Sequence, residues 1–145
     1  MRLDDLFNLY NQLQDNVKLK SNWAGYLCIL ASGFIEKSVI ELYSSYASER
    51  SAPHVASYVD SRINTFSNPN MEKLITLASE FNGQWGMDLR AQTLGQIKNS
   101  IDSICANRNK LAHGENTSVS FVNIKDWYAD AKRLVSIIEN QCEIG

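Results

Sequence analysis

The segment SNWAGYLCILASGFIEKSVIELYSSYASER, Ser21 to Arg50, contains no proline and carries one apolar stripe from end to end. Trp23, Tyr26, Leu27, Leu30, Phe34, Ile35, Val39, Leu42, Tyr43 and Tyr46 recur at steps of three and four, the period of a helix face. At about 1.5 Å per residue such a helix is roughly 40 Å long, enough to span a small domain. Ser21 or Asn22 is expected to cap its start. The rest of the chain has to be arranged around this element.

The remaining periodic segments are helical too, and no period-2 strand competes with them. Leu3, Leu6, Phe7, Tyr10, Leu13 and Val17 form a first amphipathic stripe. SAPHVASYVDSRINTF restarts a helix, with Ser51 near its cap and Pro53 in the first turn, where a missing N–H costs nothing. SNPN is a turn, and MEKLITLASEF is a short helix expected to stop at Gly83. QWGMDLRAQTL reads as a loop with a helical turn. A long helix is expected from about Gly95 to His113, then a linker GENTSVSF, then a last helix whose cap resembles Asn123 with Asp126. The expectation is a single all-α domain over residues 1–145, an antiparallel bundle of about five to six helices with one long central helix.

Composition narrows the function classes. A hydrophobic share of 44% with 21% charged residues is globular, not disordered. The cysteines at 28, 105 and 142 are odd in number and lack C-x-x-C spacing, which argues against a disulfide framework or a zinc cluster and for a reducing compartment. MRLDDLFNLYNQL has acids where a secretory leader needs positive charge, and no apolar run is expected to reach the roughly 20 residues of a membrane span. A cytoplasmic protein without membrane contact is the expectation. A net charge of −2 excludes nucleic-acid binding by bulk charge. Locally the balance differs, since Arg90, Lys98, Arg108 and Lys110 face the single acid Asp102 between Arg90 and His113.

The segment ICANRNKLAHGE, Ile104 to Glu115, carries the chemistry. Ile97, Ile101, Ile104 and Leu111 leave one position vacant in their stripe, and Arg108 fills it. A guanidinium on such a face is costly unless it meets an anion. One reading is a structural ion pair, with Glu36 of the long helix as partner; the other is a ligand phosphate. At about 100° per residue, Asn109 and His113 lie ~40° apart and Arg108 ~100° from Asn109, so the three share one arc. Asn109 is thus placed to hydrogen-bond the His113 ring. His113 sits in the last turn before Gly114, a natural left-handed cap whose unpaired carbonyls favour an imidazolium. Together they offer an anion-binding cation beside a proton carrier that works near neutrality.

RNKLAHG resembles the signature of the HEPN superfamily, in which an Arg, a polar residue, a few more residues and a His close a helix. The long helix with SGFIEKSVIELY, the Pro-started helix and the last helix after a short linker extend the likeness over nearly the whole chain, closest to stand-alone, toxin-like groups of the RiboL-PSP type. The resemblance implies an all-α homodimer with a composite cleft between facing motif helices. It also implies a metal-independent endoribonuclease without cofactor, of the kind found in toxin–antitoxin and phage-defence systems, with RNA as substrate and an antitoxin protein as partner. Carried over, Arg108 would neutralise the scissile phosphate and His113 would be the acid/base. Asn109 would orient them and Glu36 would be a supporting polar group; from the local charge balance of this segment, Lys110 and Lys98 are the expected substrate contacts. Some toxin members carry a modifiable Tyr two positions after the His; here Glu115 stands there, so the likeness does not extend to that route of control.

Other constellations are weaker. No Gly-rich phosphate loop exists, and no two histidines share a helix face. Asp4, Asp5, Asp126 and Asp130 read as solvated acids on exposed faces. Trp23, Trp85 and Trp127 read as packing residues, with Trp85 beside Gly86 near a cleft. His54 has no polar constellation around it, and Lys132 with Arg133 reads as a surface pair. Two functions are therefore weighed: an RNA-cleaving enzyme centred on Arg108 and His113, and a non-catalytic helical module that dimerises or binds a partner. The direction in which Arg108 points separates them.

Overall fold

The long apolar stripe forms a helix that begins earlier than its cap residues suggest. In the computed structural model, which describes residues 2–9, 17–117 and 119–144 (17–19 and 21 in backbone only), this helix runs from Val17 to Arg50. The chain passes through Ser21 and Asn22 in helical conformation, so neither caps its start. The described residues form seven helices and no strands: α1 Leu3–Leu9, α2 Val17–Arg50, α3 Pro53–Ile63, α4 Met71–Phe81, α5 Gly83–Thr93, α6 Gln96–Ala112 and α7 Phe121–Ile144. Tyr10 and Leu13 of the expected first stripe lie outside the described residues.

The helix that sequence spacing left as a loop is α5. Asn82 ends α4 in extended conformation and starts α5, where its side chain accepts from the Gln84 N–H at 2.9 Å. Gly83 is the first residue of α5 and terminates nothing. Gly86 lets α5 lie against α4, because a Cβ there would fall 1.7 Å from Ser79 Oγ. The preceding Trp85 is buried beside Tyr43 and Tyr46, and it also lines a cleft of about 350 Å³ with Asp88, Gln141 and Ile144.

α2 is the hub, packed on α1, α3, α6 and α7. By length and mean hydropathy its Asn22–Arg50 portion would suffice to cross a membrane, contrary to the expectation that no stretch would. Its apolar face is instead spent on the core. Leu27, Ile35, Val39 and Tyr43 are fully buried, interleaved with Ala24, Cys28 and Ala31. Those small residues bring α6 close: the Cys28 thiol donates to the Ile104 carbonyl at 3.6 Å. α7 closes the other side of α6 with Ile124, Ala131, Leu134 and Ile138. Burial of each leucine or isoleucine side chain among these contributes about 1.5–3 kcal/mol.

Two acids read as solvated or unremarked turn out to be structural. Asp130 of α7 is buried, not on an exposed face. Its carboxylate accepts from Ser100 Oγ at 2.6 Å and Gln96 Nε2 at 3.1 Å and pairs with Arg133, pinning the first turns of α6. Asp102 of α6 accepts from the Met71 N–H at 2.9 Å and so anchors the start of α4. The α7 start is capped by Ser120, whose Oγ accepts from the Asn123 N–H, and not by Asn123. Ala52 stands at the cap of α3, and Ser51 donates back to the Ala47 carbonyl.

Candidate functional site

The site is the last two turns of α6 and what lies beneath them. Ile101 and Ile104 fix the buried side of this helix against α2 and α7. Leu111, half-buried, meets α2 where Gly25 leaves room; a Cβ at Gly25 would stand 3.4 Å from the Leu111 side chain. The end of α6 is defined by hydrogen bonds. Gly114 adopts φ 73°, the Gly114 N–H donates to Leu111 O at 3.1 Å, and the Glu115 N–H donates to Lys110 O at 2.8 Å. This pair is a Schellman closure, which needs glycine at the left-handed position. It fixes His113 as the cap residue, with its side chain exposed.

Arg108 is half-buried, one turn beyond Ile104 and Cys105. Among the described residues it forms no ion pair, and in particular none with Glu36. Burial raises the Cys105 thiol above its ordinary value, an effect the Lys73 ammonium opposes, Asp102 adds to and the Arg108 guanidinium slightly opposes. Glu36 is committed elsewhere: its Oε2 accepts from the Asn68 backbone N–H at 3.0 Å.

Asn68 lies in the connection between α3 and α4 and was not among the residues singled out from sequence. It is the only non-glycine residue with positive φ among the described residues, at 46°. Three bonds radiate from it. Its N–H goes to Glu36, its carbonyl accepts from the Cys105 thiol at 3.5 Å, and its Nδ2 donates to Asn109 Oδ1 at 2.5 Å. Asn109 Nδ2 in turn faces Cys105 Sγ at 4.0 Å. The Asn109 amide is therefore held by the loop and by its own helix; no hydrogen bond joins it to the His113 ring among the described residues, contrary to expectation. The one sequence signal for Asn68 is the Asn-Pro step, since asparagine tolerates the left-handed region better than other side chains.

The expected substrate contacts divide. Lys110 is exposed on the motif helix. Lys98 lies three turns back and pairs with Asp102 at 2.6 Å. Arg90 is held by Glu72 through two hydrogen bonds on the exposed surface. His54 is exposed on α3, far from the motif in sequence. No three His, Cys, Asp or Glu side chains cluster to hold a metal among the described residues. Beside the end of α6, Tyr26 and Ile29 of α2 are exposed and line, with Leu111, Glu115 and Thr117, a shallow groove of about 320 Å³.

Compared with known proteins, the chain matches over residues 2–143 the model of one family, described as RiboL-PSP-HEPN. No curated protein and no solved structure matches it.

Proposed function

This chain belongs to the RiboL-PSP-HEPN family, and on that premise we propose that it is an endoribonuclease acting on RNA through Arg108 and His113. Family membership points to ribonuclease activity. The single observation that carries the assignment to these residues is Arg108: a half-buried guanidinium with no anionic partner among the described residues, one turn before an exposed histidine. A cation in that position is stabilised by an anion brought from outside, and a phosphodiester is such an anion.

The chemistry needs a proton carrier and charge neutralisation. The 2′-oxygen of the ribose bonds to the adjacent phosphorus as its proton passes to His113. Arg108 offsets the charge that gathers on the phosphoryl oxygens. The bond from phosphorus to the 5′-oxygen then breaks, and a protonated imidazole returns a proton to that leaving oxygen. The products are a 2′,3′-cyclic phosphate and a 5′-hydroxyl, with no metal required for either proton transfer. Asn109 Nδ2 retains an N–H for a phosphate oxygen, and Lys110 contacts the neighbouring backbone. Lys98 would have to leave Asp102 to do the same. Glu36 supports the site from below through the Asn68 loop. Single-stranded or looped RNA is the substrate, because in-line attack needs a flexible backbone.

Because Arg108 and His113 lie five residues apart on one helix, they diverge by about 140° around its axis. A homodimer that brings two motif helices together gives each phosphate a cation and an imidazole at close range. The exposed Tyr26 and Ile29 beside the motif are surface a second copy would cover. In the cell the protein is a cytoplasmic toxin or phage-defence effector, restrained by an antitoxin protein; three buried free thiols suit a reducing compartment.

The test is cleavage of unstructured RNA in the presence of chelator, with the new ends identified. His113→Ala should lower the rate at least ~10²-fold, the lower end for an acid/base group, while the protein stays folded and dimeric and growth arrest on expression is relieved. Equal rates for wild type and His113→Ala, or loss of wild-type cleavage in chelator, would refute it.

A further inference from the structure

We infer that Asn68 is a positioning residue for cleavage: it fixes the orientation of the Asn109 amide, and so keeps an N–H of that amide available to the substrate. The inference rests on the ribonuclease reading and extends it to a residue outside the motif helix.

An asparagine amide has two ends, an acceptor oxygen and a donor nitrogen, and at an exposed helix position it can rotate to present either. A phosphate oxygen accepts only, so Asn109 helps bind it only through an N–H of Nδ2. Asn68 removes the freedom to turn. Its Nδ2 occupies Asn109 Oδ1 while one N–H of Asn109 Nδ2 faces Cys105 Sγ, which commits the acceptor end to the protein and leaves the second N–H of Asn109 for the ligand.

Asn68 is itself held through its backbone. Glu36 binds its N–H and the Cys105 thiol binds its carbonyl, so the backbone cannot shift without breaking both. That clamp keeps the residue at φ 46°, a conformation non-glycine residues seldom adopt and one found where a fold constrains a functional side chain. The Asn68 Oδ1 is buried and has no hydrogen-bond partner. An unsatisfied buried carbonyl is unfavourable, so the fold tolerates a local cost to keep the Nδ2 end of Asn68 directed at Asn109. Glu36, the polar group under the motif, thus acts two steps away from the substrate: it holds the loop, the loop holds Asn109.

Glycine isolates the amide arm. Asn68→Gly keeps the positive φ, the N–H to Glu36 and the carbonyl to Cys105, and deletes only the bond to Asn109. The experiment compares RNA cleavage by wild type, Asn68→Gly, Asn109→Ala and the double variant, with thermal melting of each. Asn68→Gly should lower kcat about tenfold, the effect one hydrogen bond of ordinary strength carries, with KM and melting temperature close to wild type. In the Asn109→Ala background the same substitution should change kcat less than twofold, because the residue it acts through is gone. Equal, multiplicative losses in both backgrounds, or a loss that tracks melting temperature, would make Asn68 merely structural and overturn the inference. An Asn68→Gly protein that cuts as fast as wild type would overturn it while leaving the ribonuclease reading intact. A wild type that cuts no RNA would overturn both.

Discussion

Arg108→Met replaces a guanidinium with an unbranched thioether of similar reach and makes the stripe of α6 apolar from Ile101 through Ile104 to Leu111. Breaking a buried ion pair typically costs about 3–5 kcal/mol, because the abandoned partner stays buried and charged. Arg108 has no such partner among the described residues, and Glu36 is already satisfied by the Asn68 N–H. The substitution therefore orphans no anion. Stability should stay within about 1 kcal/mol of wild type, or rise, which for a chain of this size is a melting shift of about 2–4 °C at most. Activity should behave differently. A guanidinium on a phosphate can make two charge-assisted hydrogen bonds of about 1.5–3 kcal/mol each, so kcat/KM should fall roughly 10²–10⁴-fold. Arg108→Lys, which keeps the charge but loses the planar fork, should fall between. Denaturant unfolding at one fixed protein concentration, which holds the dimer equilibrium constant, and a quenched-fluorophore RNA assay give the two numbers. A loss of about 3 kcal/mol or more in Arg108→Met would mean the guanidinium closes a buried pair, and the argument from an unpaired cation would fail.

Gly86→Ala should destabilise by about 1–3 kcal/mol, the range for overpacking, since the added methyl would meet Ser79 Oγ; adding Ser79→Ala should restore part of it in the same melt. Asp130→Ala should cost more than Asp126→Ala, because it strands the buried Ser100 hydroxyl at about 1–3 kcal/mol per unsatisfied group; equal unfolding midpoints would contradict this. Burial pushes the Cys28 thiol up to about 12 from an ordinary 9.0. A thiol raised on folding contributes stability that is complete below pH 9 and is lost as pH climbs toward 12. Unfolding followed against pH should show that alkaline decline, and Cys28→Ala should make it shallower without removing the part due to Tyr43, Tyr128 and Cys142, which burial also raises. In the native state at pH 8, a disulfide reagent should label Cys28 far more slowly than in denaturant.

Most of the helical skeleton was legible because its signal is local. The α2 stripe needs only period and length, and the α6 end needs only Gly114 after His113. α5 escaped because its sequence is not strongly two-faced: Trp85 and Leu89 are buried, but its fit depends on Gly86 lying against Ser79 of another helix. Caps misled where two residues competed, as with Ser120 and Asn123. In the site, Arg108, Asn109 and His113 could be placed on one arc because a helix fixes their spacing. Their partners could not. The bond that holds Asn109 comes from a residue 41 positions away, and its donor lies in a turn whose path across α6 depends on Asp102 anchoring Met71 and Glu36 gripping Asn68. Asp130 failed for the same reason, since its burial follows from how α7 meets α6.

The bed of α6 has an order of arrival. Its motif is made before α7 is, yet Asp130, Ala131, Leu134 and Ile138, which seat α6 from the far side, all belong to α7. Until α7 has been translated, the Arg108–His113 segment exists without that support, and domains generally fold as units. A chain that stops short of α7 thus carries the whole Arg108–His113 segment and lacks the helix that seats it. Truncation within α7 should therefore unseat α6 without touching any residue of the motif.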